Sequence, residues 1–219
     1  MTTPPLSDKG RELIALYKQM VDEGYERSDC LHVDSERVFS DFELRTFASS
    51  LLPFFREYGV STVLDYGAGG SNWQVPDFEP ESGVSAIDFF ALKEVFYYEP
   101  GRDIDQRQHV DCVVNFDVLE HVFIADVPAV LRDILSYANK LAILNVACYP
   151  AAAKLPNGEN AHITVRSPQW WKGMVDSVAL DYPELPILLI CSTEYRKAMA
   201  FPVWRPGEWS ESSTFVVDA

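Results

Sequence analysis

Apolar residues recur at helical spacing in two stretches near the start of the chain. Between Arg11 and Gly24, residues Leu13, Leu16, Tyr17, Met20 and Val21 share one face, and Gly24 supplies a stop. Between Asp41 and Tyr58 the same period runs through Leu44, Phe47, Leu51, Phe54, Phe55 and Tyr58. Pro53 lies inside that pattern and predicts a kink or two consecutive helices, because proline has no amide proton to donate. After Gly59 the pattern changes to short apolar runs. Ser61 to Tyr66, Val95 to Tyr98, Val110 to Phe116, Leu141 to Cys148, Pro186 to Cys191 and Ala198 to Trp204 read as strands. Helices are expected over Ser85 to Val95, from an Asp126 N-cap through Ala138, and over Gln169 to Val178 behind Ser167. This alternation predicts an α/β domain with a mostly parallel sheet, helices on both faces, and ligands at the carboxyl ends of the strands. Residues 1–58 are expected to form an N-terminal helical cap of the same domain, and residues 59–219 its core.

Composition narrows the function classes. The chain has 219 residues, 47% hydrophobic and 23% charged, which suits one soluble domain. Lys plus Arg is 18 and Asp plus Glu is 33, so the net charge is 18 − 33 = −15. An acidic surface repels phosphate backbones and anionic lipid, which argues against nucleic acid and membranes as main partners. No apolar run approaches the ~20 residues that span a bilayer. Met1 to Gly10 has no apolar stretch of the secretory kind, so a cytoplasmic protein is expected. Cys30, Cys112, Cys148 and Cys191 form no C-x-x-C pair, so no metal site is expected and the cysteines read as small buried hydrophobes.

The most informative segment is Val63-Leu64-Asp65-Tyr66-Gly67-Ala68-Gly69-Gly70-Ser71, a strand that enters a glycine turn through an acidic residue. Glycines let the chain turn tightly and let a ligand approach the main chain. A dinucleotide site would need a third glycine where Asn72 stands, and Asp65 adds negative charge where a pyrophosphate would sit. S-adenosylmethionine, with a sulfonium and an ammonium, suits the same acidic turn. Tyr97-Tyr98-Glu99-Pro100 ends the next strand with a carboxylate able to accept both ribose hydroxyl protons. Asn115-Phe116-Asp117-Val118-Leu119-Glu120-His121-Val122 then brings Asp117, Glu120 and His121 to the same sheet edge.

Val63 to Ser71 resembles motif I of the class I S-adenosylmethionine-dependent methyltransferases, and Phe116 to Val122 resembles their fourth-strand motif. The order and spacing agree from about Val60 to Trp204. The resemblance implies a Rossmann-like sheet of seven strands ending in an antiparallel hairpin. It implies that Asp65, Gly67, Ala68 and Gly69 line the methionine half of the cofactor, that Glu99 binds the ribose, and that Asp117 faces the cofactor. Only the 11 residues Pro100 to Val110 separate Glu99 from Asp111, too few for the helix and third strand the family places there. The sheet is therefore expected to be shortened between its second and fourth strands, without the family's adenine-contacting Asp. The block from Asn145 to Arg166 resembles a bacterial subgroup that tailors sugars and secondary metabolites.

Methyl transfer needs a nucleophile aligned with the sulfonium and, for a hydroxyl acceptor, a base. His162 is a candidate as general base, as acceptor-binding group or as a brace of its own loop, in which Asn157, Glu159, Asn160 and Thr164 are also polar. His121 acts on substrate or holds its turn. His32 and His109 have no supporting neighbours. Trp170 and Trp171 read mainly as packing, with a sugar-pocket wall as the alternative, Arg166 as an anion contact or a surface ion pair, and Tyr17, Tyr25 and Phe42 as ordinary residues of the leading helices, with a lid over the pocket as the alternative. The expected activity is methylation of a small-molecule hydroxyl, on a sugar or metabolite. The alternatives are a methyltransferase-fold binding protein without turnover and an NAD-dependent oxidoreductase.

Overall fold

The structure is a computed structural model that describes residues 4–29, 31–35, 39, 42–78, 83–201 and 213–216. Cys30, Asp41 and Trp204 lie outside the described residues, as does the side chain of Phe42. Two helices come first, α1 (Asp8–Glu23) and α2 (Phe42–Glu57), with a two-stranded ribbon, β1 (Tyr25–Glu26) and β2 (His32–Val33), between them. Then follow β3 (Thr62–Tyr66), α3 (Ala86–Phe89), β4 (Glu94–Glu99), β5 (Ile104–Asp105), β6 (Val110–Phe116), α4 (Val127–Ser136), β7 (Ala138–Ala147), α5 (Pro168–Ala179), β8 (Ile187–Glu194), β9 (Lys197–Phe201) and β10 (Ser213–Val216).

The main sheet has the order β10-β9-β8-β7-β6-β3-β4-β5. Its five central strands, from β8 to β4, are parallel, and β5, β9 and β10 add antiparallel edges. Between β4 and β6 the chain makes only a single 3-10 turn, Pro100–Arg102, and the two residues of β5, as the short spacing there led one to expect. This is a mostly parallel α/β sheet flanked by helices, compatible with a Rossmann-like fold.

Both sheet faces are buried, and strand periodicity divides them. Val113, Ala142, Leu144 and Leu189 point to one face and pack with Val130, Leu131 and Ile134 of α4 and Trp171 and Val175 of α5. Cys112, Val114, Ile143 and Ile190 point to the other and pack with Phe47, Leu51 and Phe55 of α2. Strands covered on both sides read as continuous apolar runs, which is why β6 and β7 stand out in the sequence. The helix α2 is thus a layer of the core, and α1 lies across the carboxyl edge. There Leu13 and Met20 pack on Leu155 and Ala161 of the loop after β7. No helix among the described residues is long and apolar enough to cross a membrane.

Three local expectations change. Pro53 sits within one continuous α2 rather than dividing two helices; Leu51 and Phe55 on either side of it are buried and hold the helix to the sheet across the lost bond. The helix expected over Ser85 to Val95 is one turn long, because Ala91 takes a left-handed conformation (φ 54°) and Leu92 turns inward to join the core. Asp126 stands at the N-cap position of α4 but makes no capping bond there. Its carboxylate instead accepts the Ser7 amide (2.9 Å) and hydroxyl (2.7 Å), fastening the start of α1 to α4.

Candidate functional site

The carboxyl ends of β3, β4, β6 and β7 open into a cavity of about 520 Å³, within the roughly 300–1,000 Å³ of small-molecule sites. Asp65, Gly67, Ala68, Gly69, Glu99, Asp117, His121 and His162 all lie on its wall. The eight residues singled out in the sequence therefore meet in one place.

The glycine turn is fixed from below. Gly67 and Ala68 donate their amides to the Tyr98 carbonyl at 2.7 and 3.1 Å. The Gly69 amide donates to Glu99 Oε2 and the Gly101 amide to Oε1, each at 2.8 Å. Glu99 thus ties together the turn after β3 and the 3-10 turn after β4, a structural task that its sequence position did not reveal. Burial pushes its carboxyl up, and the two amides act in the opposite direction. Each carboxylate oxygen retains a lone pair for a ligand hydroxyl. Gly67 and Gly69 both have positive φ, 86° and 54°. A Cβ on Gly67 would strike the side chain of Val118, and one on Gly69 would lie 2.7 Å from Phe39 Cβ and 2.9 Å from its carbonyl oxygen. Asp65 is buried and accepts the Trp73 indole N–H at 2.8 Å.

Asp117 follows β6 in a left-handed conformation, φ 56°, sparsely populated by residues other than glycine but tolerated by Asp. Its half-exposed carboxylate lies with Oδ1 3.7 Å from His162 Nε2. The rings of His162 and His121 meet edge to face with centroids 4.7 Å apart. His162 is buried, and its Nδ1 donates to the Tyr149 carbonyl at 2.5 Å. His121 Nδ1 is 2.9 Å from the Ala161 carbonyl and 2.6 Å from the Tyr17 hydroxyl, which itself donates to Ala161 O at 2.7 Å. A nitrogen against a carbonyl oxygen must carry the proton, so Nδ1 is the donor in both rings and Nε2 is the atom left to accept a proton or bind a ligand. Burial pushes the His121 imidazole down to about 4, with His162 adding to the shift and Asp117 opposing it, so His121 is neutral at pH 7. Beneath them Glu120 is fully buried; one oxygen accepts the Ala147 amide and the other, Oε2, has no hydrogen-bond partner. Burial, and then the neighbouring Asp117 charge, push its carboxyl well up.

The remaining candidates divide clearly. Tyr17 and Tyr25 line the cavity, Tyr17 through its bond to His121. Trp171 is core, Trp170 packs edge to face on it, and Arg166 lies over Trp170; none of the three is on the cavity wall. His32 pairs with Glu26 at the surface and His109 lies beside Tyr137, both away from the cavity. The polar loop mostly braces itself. Asn160 bonds both the amide and the carbonyl of Ala151, Glu159 pairs with Lys9, and Thr164 donates to the Val122 carbonyl.

Glu43 was not foreseen. It lines the cavity from the first turn of α2, and burial together with the Asp117 charge pushes its carboxyl up to about 7. Its signal was a carboxylate four residues before Phe47, on the apolar stripe. Among the described wall residues, Glu43, Asp65, Glu99, Asp117 and Asp126 are acidic, and Arg27, paired with Asp29, is the only Lys or Arg. The wall is therefore suited to a cationic ligand. No protein-family model and no curated protein matches this chain.

Proposed function

We propose that this protein is an S-adenosylmethionine-dependent methyltransferase acting on a hydroxyl of a small molecule of sugar or metabolite size. The observation that carries this reading is the acidic cavity at the carboxyl edge, with a glycine turn at one side and the imidazoles of His121 and His162 at the other. The residues present fit the cofactor in three respects. Gly67 and Gly69 leave bare backbone on the wall. Glu99 has acceptor capacity left for ribose hydroxyls. The acidic wall suits a sulfonium and an ammonium, and it disfavours the pyrophosphate of a dinucleotide.

When bound, S-adenosylmethionine supplies an electrophilic methyl group. The chain's own part is to place the acceptor and remove its proton. Asp117, His121 and His162 lie together on the cavity wall, with His162 Nε2 beside Asp117 Oδ1, where an acceptor hydroxyl can donate. Tyr17 and the Ala161 carbonyl hold His121 in one tautomer, and the Tyr149 carbonyl holds His162.

Calorimetry with S-adenosylhomocysteine, followed by transfer of labelled methyl groups into a panel of sugars and hydroxylated metabolites, tests the reading. Saturable binding and label in an acceptor are expected. A folded protein that does not bind S-adenosylhomocysteine at millimolar concentration would overturn it.

A further inference from the structure

We infer that Asp117, His121 and His162 form a binding site for one divalent first-row transition cation of the Mn²⁺ to Zn²⁺ class. The site resides at the acceptor end of the cavity, and only its use in activating an acceptor rests on the methyltransferase reading. One ligand atom from each of the three side chains lies within 4.8 Å of the others, and His162 Nε2 is already 3.7 Å from Asp117 Oδ1. A cation about 2.0–2.2 Å from each would draw them to roughly 3–3.6 Å apart, a small side-chain adjustment.

The surroundings favour ligation. Metal-bound histidines characteristically donate their other ring N–H to a carbonyl or carboxylate, which fixes the ring and raises its basicity. His162 does this to Tyr149 O, and His121 to Ala161 O with Tyr17 alongside. Two imidazoles and a carboxylate select a borderline cation over Mg²⁺ or Ca²⁺, which prefer all-oxygen sets. Three protein ligands leave positions open toward the cavity, where an acceptor oxygen can sit.

The cluster was invisible to spacing rules because His121 follows β6 while His162 comes from the loop beyond β7.

The test uses the full chain stripped with a chelator and desalted. Mn²⁺ binding is followed by loss of the free-ion electron paramagnetic resonance signal, and Zn²⁺ binding by calorimetry, both without any nucleoside. One saturable site is expected. Asp117→Asn and His162→Gln should each weaken it by about 100-fold or more, beyond the roughly 10–100-fold typical of losing an outer partner. Asp117 has a half-exposed side chain, so its variant keeps the test valid if His162→Gln fails to fold. His32→Ala, at the surface pair with Glu26, should bind as wild type does. Absence of a saturable site for either ion, or binding unchanged by Asp117→Asn, would overturn the inference. S-adenosylhomocysteine binding on the same metal-free samples separates the two proposals: ion binding without nucleoside binding would retain the metal site and reject the methyltransferase, and the reverse would do the opposite.

Discussion

Replacing Glu99 separates its two tasks. Its carboxylate accepts the Gly69 amide on one oxygen and the Gly101 amide on the other, both at 2.8 Å. Hydrogen bonds to a charged group contribute about 1.5–3 kcal/mol when the partner would otherwise be stranded. Gly101 is buried, so Glu99→Ala strands its amide. Gly69 borders the cavity and can bond water instead, which reduces its share to about 0.5–1 kcal/mol. Relief from burying the carboxylate returns part of this. A net loss of about 2 kcal/mol follows, or about 4–8 °C in melting temperature for a chain of this size. Glu99→Gln behaves differently. Its single oxygen can keep the buried Gly101 amide, but its NH₂ then faces the Gly69 amide, donor against donor, and the glycine turn must move. The Glu99→Gln variant is thus expected to lose little stability yet to bind S-adenosylhomocysteine at least tenfold more weakly. Thermal melts and calorimetry on the three proteins measure both quantities. Wild-type affinity in folded Glu99→Gln would refute the role of Glu99 at the turn and the ribose alike. An unchanged melting temperature in Glu99→Ala would show that the two amide bonds do not hold the structure in solution.

Gly67→Ala should cost more than Gly158→Ala in denaturant melts, by about 1 kcal/mol or more: their φ values are 86° and 87°, but only Gly67 would drive a Cβ into Val118, while Gly158 faces open space. Equal losses would mean that Val118 gives way freely. Asp126→Ala should destabilise the start of α1 by about 1–2 kcal/mol, seen as faster hydrogen exchange over residues 8–23, since both Ser7 bonds end on that carboxylate. Glu43 holds its proton more tightly in the folded chain, up to about 7 against an ordinary 4.5, so its contribution to stability falls as pH rises between those values. Glu43→Gln should flatten that part of the stability–pH curve in melts at about pH 5 and pH 7.5, and an unaltered slope would show that Glu43 is not buried as described.

The legible parts of this fold share a physical cause. β6 is readable from Val110 to Phe116 because a strand covered on both faces must be apolar at nearly every position. The strand ends are readable because an apolar run that stops at Asp65, Glu99 or Asp117 marks where the sheet meets a cavity. What the sequence hides depends on where a polar group uses its bonds. Ser85 caps a helix at the start of the expected one, yet the helix ends after one turn because the core draws in Phe90 and Leu92. Asp126 has the right residue type for an N-cap, but Ser7, 119 residues earlier, takes both its oxygens. The loop from Asn157 to Thr164 shows the consequence for the site. Its polar residues were legible as a group that no apolar core could use, but their direction was not. Asn160 and Thr164 bond to the backbone and Glu159 pairs with Lys9, which braces the loop. That bracing, with the Tyr149 carbonyl on Nδ1, leaves Nε2 of His162 beside Asp117 and its lone pair available to a proton or a cation.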